Sequence, residues 1–311
     1  MSNAGGPTVL APPDTASAGE ISVRPLSLPV NLTLAACSSI MLAFCVLAHP
    51  NGAWQAASSL VIATPVLIAP MLLPAAWWHQ HKNADRRDAA LMFPWAMLLA
   101  ALVAQTAATA ATFTFPLRDS LWLKLDLDLG IRVPAIMAWA ARYPSLQKFL
   151  AECYGQLHPM MLVAIFLVPL LGRRKSAERY ILANALGFVF GLPLMVFLPA
   201  IGPWVMWHFP PDLSQTICES SVLMLRKGSI PANGLFGATV CLPSFHTFWA
   251  LLTAQALWTF RLLRYPAILL ATFIITSTLT MGWHYGVDVI AGILLAALCS
   301  ALASWIISIG R

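Results

Sequence analysis

Two histidines and one aspartate lie at the ends of uncharged segments near the C-terminal end of the chain. His246 ends the sequence Pro243-Ser244-Phe245-His246, and His284 and Asp288 follow two spans later. Ionisable side chains at such places are costly in a membrane and are usually retained for function. His284 and Asp288 are four residues apart, so a helix places them on one face. A down-and-back hairpin between the two motifs would bring both histidines to the same membrane surface.

This trio has the residue types that nucleophilic and acid–base chemistry require. A carboxylate one helical turn from a histidine holds the imidazole in one tautomer, with the other nitrogen free to act as a nucleophile or base. A second histidine can protonate a leaving group and later activate water or an alcohol. A single histidine at a membrane interface is more often a polar anchor. The hypothesis therefore requires His246, His284 and Asp288 to meet on one side.

A phosphoryl group at this site would also need positive charge and N–H donors. Arg226 and Lys227 are the candidate cations, and solvated loop charges are the alternative interpretation. Ser244 begins a span, where a helix N-terminus favours phosphate; the alternative for Ser244 is a plain N-cap. The six cysteines show no paired metal-ligand spacing. We predict no metal and no cofactor, because histidines and cations can stabilise the charge.

The composition is that of an integral membrane protein. Of the 311 residues, 59% are hydrophobic and 10% are charged, whereas soluble domains carry about 25% charged residues. The apolar runs are continuous rather than alternating, which favours helices over the strands of a β-barrel. The net charge of +6 lies in short loops between spans. It therefore indicates membrane topology and argues against nucleic acid as a partner.

Eight uncharged segments approach the roughly 20 residues that a helix needs to cross a bilayer. They are Leu32–Ala48, Trp54–Trp78, Ala89–Phe115, Cys153–Leu171, Tyr180–Ala200, Ser244–Phe260, Tyr265–Met281 and Tyr285–Ile309, the last interrupted only by Asp288. The fold class is therefore all-α and polytopic, with about eight transmembrane helices. Residues 1–28 are expected to form a disordered cytoplasmic tail, residues 29–88 an N-terminal transmembrane hairpin with a basic loop, and residues 89–311 the other six spans.

Basic loops set the predicted orientation, because Lys and Arg favour the cytoplasmic side. With eight spans, the three short basic loops and both chain termini fall on the same side of the membrane. That side is predicted to be cytoplasmic, which places His246 and His284 on the other side, facing the periplasm or its equivalent. Cys218 and Cys241 share an outer loop where oxidation is possible; whether they form a disulfide stays open.

The outer segment Pro116–Glu152 mixes patterns. The alternation from Leu121 to Leu129 predicts a strand. A short helix is expected from Pro134, with proline at its first position, and another from Pro144.

The motifs resemble those of a known family. Pro243-Ser244-Phe245-His246 is similar to the Pro-Ser-Gly-His motif of the type 2 phosphatidic acid phosphatase superfamily, and His284-Tyr285-Gly286-Val287-Asp288 is similar to its His-x-x-x-Asp motif. The closest likeness is to the branch that includes inositol phosphorylceramide synthase and sphingomyelin synthases. Weaker features of that branch are Leu127-Asp128-Leu129-Gly130, Tyr154, Pro199 to Pro203, and Leu225-Arg226-Lys227-Gly228.

The resemblance implies a six-helix membrane core in residues 89–311 and a mechanism. In it His284 attacks phosphorus and forms a phosphohistidine, Asp288 orients His284, and His246 protonates the leaving oxygen before it activates the acceptor. Two family features are missing. The Lys-x6-Arg-Pro motif is not visible, and Ser277-Thr278 stands where Ser-Arg is common. Arg226 and Lys227 are the candidate replacements for these phosphate-binding cations.

The resemblance leaves the acceptor open. Water as acceptor makes the protein a metal-independent lipid phosphatase, which is the default, and an alcohol makes it a phosphotransferase resembling sphingolipid synthases. A non-enzymatic lipid transporter or scaffold is the alternative of another class. Transporters often bind their cargo at mid-membrane, whereas the ionisable groups here lie at one face. The expected partners are a lipid phosphate substrate and membrane lipids, and the expected location is a bacterial inner membrane with the site facing the periplasm.

Overall fold

The computed structural model describes residues 27–48, 84–229 and 241–309, and for residues 84–91 it describes the backbone alone. Within these ranges every regular element is a helix. The helices are α1 (Leu28–Ala48), α2 (Ala84–Ala111), α3 (Asp119–Asp128), α4 (Val133–Ala141), α5 (Pro144–Gly155), α6 (Leu157–Leu170), α7 (Arg174–Phe197), α8 (Pro203–Trp207), α9 (Leu213–Arg226), α10 (Phe245–Leu257), α11 (Arg264–Thr280) and α12 (Gly286–Ile309).

Four described helices are long and apolar enough to cross a membrane. They are α1, α2 from Met92, α7 and α12, and the pair α5 and α6, bent by 41°, makes a fifth if it is one span. The chain is therefore an integral membrane protein with an all-helical fold in the described part.

The predicted count of eight spans is only partly matched. Helices α10 and α11 coincide with predicted spans, but they have 13 and 17 residues, which is short for a full crossing. Residues 1–26 of the predicted tail and the span Trp54–Trp78 lie outside the described residues.

Helix α7 is the centre of the packing. It contacts α12, α2, α1 and α10, and it is the most buried of the candidate spans. Small residues allow this close approach. A Cβ at Gly187 would lie 2.1 Å from the ring of Phe248, so the α7 and α10 backbones can pack at this distance only with glycine at position 187. Helix α1 packs on α2 and α7 and is thereby part of the same bundle.

The prediction of a strand at Leu121–Leu129 is wrong, because these residues form α3. The buried side chains of α3 are Asp119, Trp122 and Asp126. Their spacing of three and four residues is the helical period, and tertiary packing of that face overrides the alternation of leucines. The helix expected from Pro134 is confirmed as α4, and the helix expected from Pro144 is confirmed as α5.

Two predicted basic loops lie together at one end of the bundle. The guanidinium of Arg173, just before α7, lies 5.9 Å from the ring centroid of Phe260, which follows α10. Arg264 lies 4.9 Å from the ring of Trp258 in the same turn. Since α10 runs from His246 to this turn, the loop arginines and the histidine motifs lie at opposite ends of α10.

Candidate active site

The two histidine motifs meet where α10 and α12 begin. The backbone N–H of Ser244 donates to the carbonyl of Asp288 over 3.1 Å. A Cβ at Gly292 would lie 2.5 Å from the carbonyl oxygen of Ser244, so glycine is required for this contact between the two helices. The ring centroids of His246 and His284 are 5.9 Å apart. The structure thus brings together His246, His284 and Asp288, far apart in the sequence.

A cysteine lies between the expected partners His284 and Asp288. The Nδ1 of His284 is 3.5 Å from Oδ2 of Asp288, too long for a good hydrogen bond. The thiol of Cys241 donates to Asp288 Oδ2 over 2.8 Å, and its sulfur is 3.1 Å from His284 Nδ1. Burial, and then the neighbouring Asp288 carboxylate, raise the pKa of the Cys241 thiol well above its usual range. Cys241 is therefore a neutral thiol that contacts both residues.

His246 is held by aromatic packing. Its ring stacks on Tyr154 with centroids 4.5 Å apart and an angle of 15° between the planes. Tyr154 in turn stacks on Trp283, the residue before His284, at 6.0 Å. The end of α5 is thus packed against both motifs. From the sequence, Tyr154 is a weak feature of the related branch and is expected to pack rather than to face the pocket, and nothing in its spacing indicates this stack.

A cavity of about 540 Å³ opens at the two histidines and extends between α2, α6, α7 and α10. His158, Tyr154 and Trp283 line it near the histidines, and its other walls are mainly alanine, leucine, isoleucine, methionine and phenylalanine. Among the described residues, no lysine or arginine lines this cavity. The positive charge that a phosphate requires is therefore not supplied by its described walls.

Arg226 and Ser244, two of the three residues predicted to bind phosphate, have hydrogen-bond partners within the protein. The guanidinium of Arg226 donates to the backbone carbonyls of Phe113 and Phe115, beyond the end of α2, and so attaches α9 to that segment. Burial lowers the pKa of Arg226. Ser244 is fully buried and accepts from the backbone N–H of Thr247 over 3.3 Å, as an N-cap does. Lys227 follows the end of α9, and its contact with phosphate stays a prediction.

Helix α3 supplies two buried carboxylates that sequence reasoning missed. Asp126 accepts from the backbone N–H groups of Gly286 and Val287 over 2.9 and 2.8 Å, at the start of α12. Burial raises the pKa of Asp126, because desolvation outweighs these hydrogen bonds. A Cβ at Gly286 would lie 2.6 Å from the side chain of Ile131. This position therefore needs glycine for α3 to approach.

Asp119 likewise accepts hydrogen bonds from the backbone of the segment between α7 and α8. It accepts from the backbone N–H groups of Ile201 and Gly202 and from the hydroxyl of Tyr285 over 3.0 to 3.1 Å. Burial raises its pKa as well. The Pro199 to Pro203 feature is thus fixed to the residue that follows His284. Asp119 and Asp126 are seven residues apart and share one face of a helix, which is a signal for a buried acidic pair. The prediction of a strand at Leu121–Leu129 did not allow for this face.

Cys218 and Cys241 are both buried thiols in this structure, and the disulfide between them stays a prediction. Cys241 also belongs to the only group of three possible metal ligands found among the described residues. Its sulfur, a ring nitrogen of His284 and a carboxylate oxygen of Asp288 lie within 4.8 Å of one another. Zinc accepts this ligand set. A metal bound there would occupy the histidine that the resemblance makes the nucleophile.

The fold and the site define an integral membrane protein of the phosphatase type. A family model described as the PAP2 superfamily matches residues 120–302, more than half of the chain, and the chain belongs to that superfamily. The predicted superfamily is thereby confirmed, and membership indicates a phosphatase-type activity. No curated protein and no solved structure matches the chain in the comparisons.

Proposed function

We propose that the protein is a lipid phosphatase that hydrolyses a lipid phosphate ester through a phosphohistidine, at the periplasmic face of a bacterial inner membrane. The observation that carries the proposal is the pair of imidazoles 5.9 Å apart, with Asp288 next to one of them. A phosphoryl group fits between rings at this separation. Superfamily membership, over residues that include both motifs, supports the same chemistry.

In the first step His284 is the nucleophile. Its Nδ1 faces Cys241 and Asp288, so Nε2 is the nitrogen that attacks. The Nε2 lone pair forms the N–P bond while the bond from phosphorus to the lipid oxygen breaks. The electron pair of that bond goes to the oxygen, which takes a proton from protonated His246 and leaves as an alcohol.

In the second step water resolves the phosphohistidine. Neutral His246 removes a proton from water as the water oxygen forms a bond to phosphorus. The N–P bond breaks, its electron pair returns to Nε2 of His284, and inorganic phosphate leaves. His246 is then protonated for the next cycle. Because its ring must reach both the leaving oxygen and the water, we assign to the stacked Tyr154 the role of keeping the imidazole in one orientation. The chemistry uses no metal.

Charge stabilisation must come from outside the described cavity walls. The N-terminal end of α10 is one source, because a helix N-terminus favours an anion. Lys227, which follows the end of α9, is the source of positive charge in this proposal. Arg226 is better explained by its two carbonyl contacts, and Ser244 by its capping of α10.

Phosphate release from purified protein tests the function. A panel of phosphatidic acid, sphingoid-base phosphate and polyprenyl pyrophosphate is scored for free phosphate, with and without EDTA. We expect phosphate release that EDTA does not change, and acid-labile labelling of His284 when labelled substrate is quenched. Loss of activity in EDTA would point instead to a metal held by Cys241, His284 and Asp288.

The same panel distinguishes the acceptors. A phosphotransferase is favoured by the likeness of His284-Tyr285-Gly286-Val287-Asp288 to the sphingolipid-synthase branch. With a lipid alcohol present, a transferred headgroup that exceeds released phosphate would make transfer the function. No turnover of any substrate, in protein that remains folded, would favour a non-enzymatic lipid transporter or scaffold.

A further inference from the structure

We propose that Cys241, His284 and Asp288 form a binding site for a single Zn²⁺ ion, and that zinc bound there reversibly blocks the nucleophile. The blocking rests on the proposed function, whereas the binding of zinc does not require turnover. The three side chains come from the segment before α10 and from the residues around the start of α12, and all three are buried. They combine a thiol, an imidazole and a carboxylate, which are the ligand types that zinc accepts.

The distances between the three ligand atoms are close to those on one face of a zinc tetrahedron. Zinc binds sulfur at about 2.3 Å and nitrogen or oxygen at about 2.0 to 2.2 Å, so ligand atoms at tetrahedral angles lie roughly 3.4 to 3.6 Å apart. Cys241 Sγ is 3.1 Å from His284 Nδ1 and 2.8 Å from Asp288 Oδ2, and Nδ1 is 3.5 Å from Oδ2. The largest adjustment that zinc requires is therefore about 0.8 Å, between the sulfur and the carboxylate.

Zinc also balances the charge of this buried group. When zinc binds, the thiol of Cys241 gives its proton to water and the thiolate sulfur becomes a ligand. A thiolate, a carboxylate and a neutral imidazole together carry two negative charges, which Zn²⁺ neutralises. Asp288 is fully buried, and its Oδ1 has no hydrogen-bond partner within the described part of the chain. A buried carboxylate oxygen without a partner is costly, and a cation bound by the same carboxylate offsets that cost.

The ion can reach the site from the cavity. Cys241 and His284 line the cavity, whereas Asp288 is not exposed to it. Three protein ligands leave the fourth tetrahedral position for water on the cavity side. Structural zinc sites are usually closed by four protein ligands. An ion with three protein ligands and access to the cavity is therefore exchangeable, as reversible inhibition requires.

Zinc on Nδ1 disables the other nitrogen of His284. A neutral imidazole has one nitrogen with a lone pair and one that carries hydrogen. When Nδ1 gives its lone pair to zinc, the hydrogen is on Nε2, which then has no lone pair with which to form the N–P bond. The space on the Nε2 side stays open to the phosphate. We therefore expect zinc to lower kcat with little change in KM.

Metal binding to the reduced, tag-free protein in detergent tests the site without catalysis. Protein stripped with EDTA and transferred to chelator-free buffer is titrated with zinc, and the bound metal is counted by elemental analysis. We expect one more equivalent of zinc than in Cys241→Ser, a rise in the unfolding temperature, and no competition from Mg²⁺, which prefers oxygen ligands. Cobalt(II) in place of zinc should show a thiolate-to-metal charge-transfer band, which reports the bond to sulfur.

Cys241→Ser removes the thiolate and keeps the size of the side chain. We expect zinc affinity at this site to fall by at least about 100-fold, and the cobalt band to disappear. Cys218→Ser is the matched control, because Cys218 is also buried and lines the same cavity but is not one of the three ligands. It should bind zinc as the wild type does. If Cys241→Ser does not fold, Cys241→Ala replaces it, and absence of the cobalt band in the wild type would by itself reject a bond to sulfur.

Phosphate release in the presence of zinc tests the blocking. In the wild type and in Cys218→Ser, a bound equivalent of zinc should lower kcat by at least about tenfold, and EDTA should restore it. The rate of Cys241→Ser, compared with its own rate without zinc, should not change at the same zinc concentration. This comparison also controls for zinc that is bound by the lipid phosphate itself.

The outcomes separate this inference from the proposed function. Zinc bound through Cys241, in a protein that releases no phosphate from any lipid, would keep the metal site and reject the phosphatase. Equal zinc affinity in the wild type and Cys241→Ser, with phosphate release intact, would overturn the metal site and keep the phosphatase. Phosphate release that rises with zinc and falls in EDTA would overturn both the blocking and the metal-free mechanism.

Discussion

The histidine centre and the two carboxylates of α3 are both buried polar groups at one end of the bundle, but they interact differently. His284 lies beside Asp288 and Cys241, and the rings of His246 and His284 line a cavity. Asp119 and Asp126 instead accept from backbone N–H groups around positions 201 and 286. The first set is suited to reaction with a ligand, and the second fixes the backbone that follows His284 and the segment between α7 and α8. Similar acids at similar depth therefore serve chemistry in one place and positioning in the other.

The largest expected effect is the loss of the nucleophile. In His284→Ala no N–P bond can form, so we expect phosphate release to fall by about 10⁴-fold or more. Phosphate release from a lipid phosphate measures the effect, and thermal unfolding of the detergent-solubilised variant controls for folding. Substantial residual turnover in a folded variant would remove His284 from the mechanism.

His246→Ala should lose less and should depend on the leaving group. General acid–base assistance contributes about 10²- to 10⁴-fold. With a lipid phosphate we expect a loss in that range. With an aryl phosphate, whose leaving group needs no proton, the first step should survive and the phosphohistidine should accumulate. Quenched labelling measures that accumulation, and an aryl phosphate that gives no labelled phosphohistidine in this variant would contradict the role of His246 as acid.

The carboxylate of Asp126 offers a comparison within one helix. In Asp126→Ala the N–H groups of Gly286 and Val287 lose their acceptor, and an unsatisfied buried donor costs about 1 to 3 kcal/mol. We expect a lower unfolding temperature and weaker phosphate release, because the residues around His284 are no longer held.

The control for this variant is Asp128→Ala. Asp128 forms an ion pair with Lys124 over 2.7 Å, in which both side chains are more than half exposed, at 56% and 71%. Such a pair contributes about 0 to 1 kcal/mol. Equal loss of stability in the two variants would contradict the positioning role of Asp126.

Asp126 and Asp128 also show how much of the site could be predicted from the sequence. The membrane class, the superfamily and the meeting of His246 with His284 followed from residue types at the ends of apolar spans. The attention given to Asp128, within Leu127-Asp128-Leu129-Gly130, fell two residues from the acid that holds α12. Alternation alone could not reveal that Asp126 is on the buried face, because this depends on α3 packing against α12. Cys241 was missed because its contacts are with residues more than 40 positions away.

The smallest expected effect concerns Cys241 and refines how His284 is held. Removal of the thiol in Cys241→Ala leaves His284 Nδ1 and Asp288 Oδ2 to close their separation of 3.5 Å. The imidazole then turns towards Asp288, and its Nε2 is held less well in line with the phosphate. We expect phosphate release to fall by less than about tenfold. Cys241→Ser keeps a donor to Asp288 and should retain wild-type phosphate release from the same lipid phosphate. An equal fall in both variants would mean that the contact of a donor at position 241 with Asp288 does not orient His284.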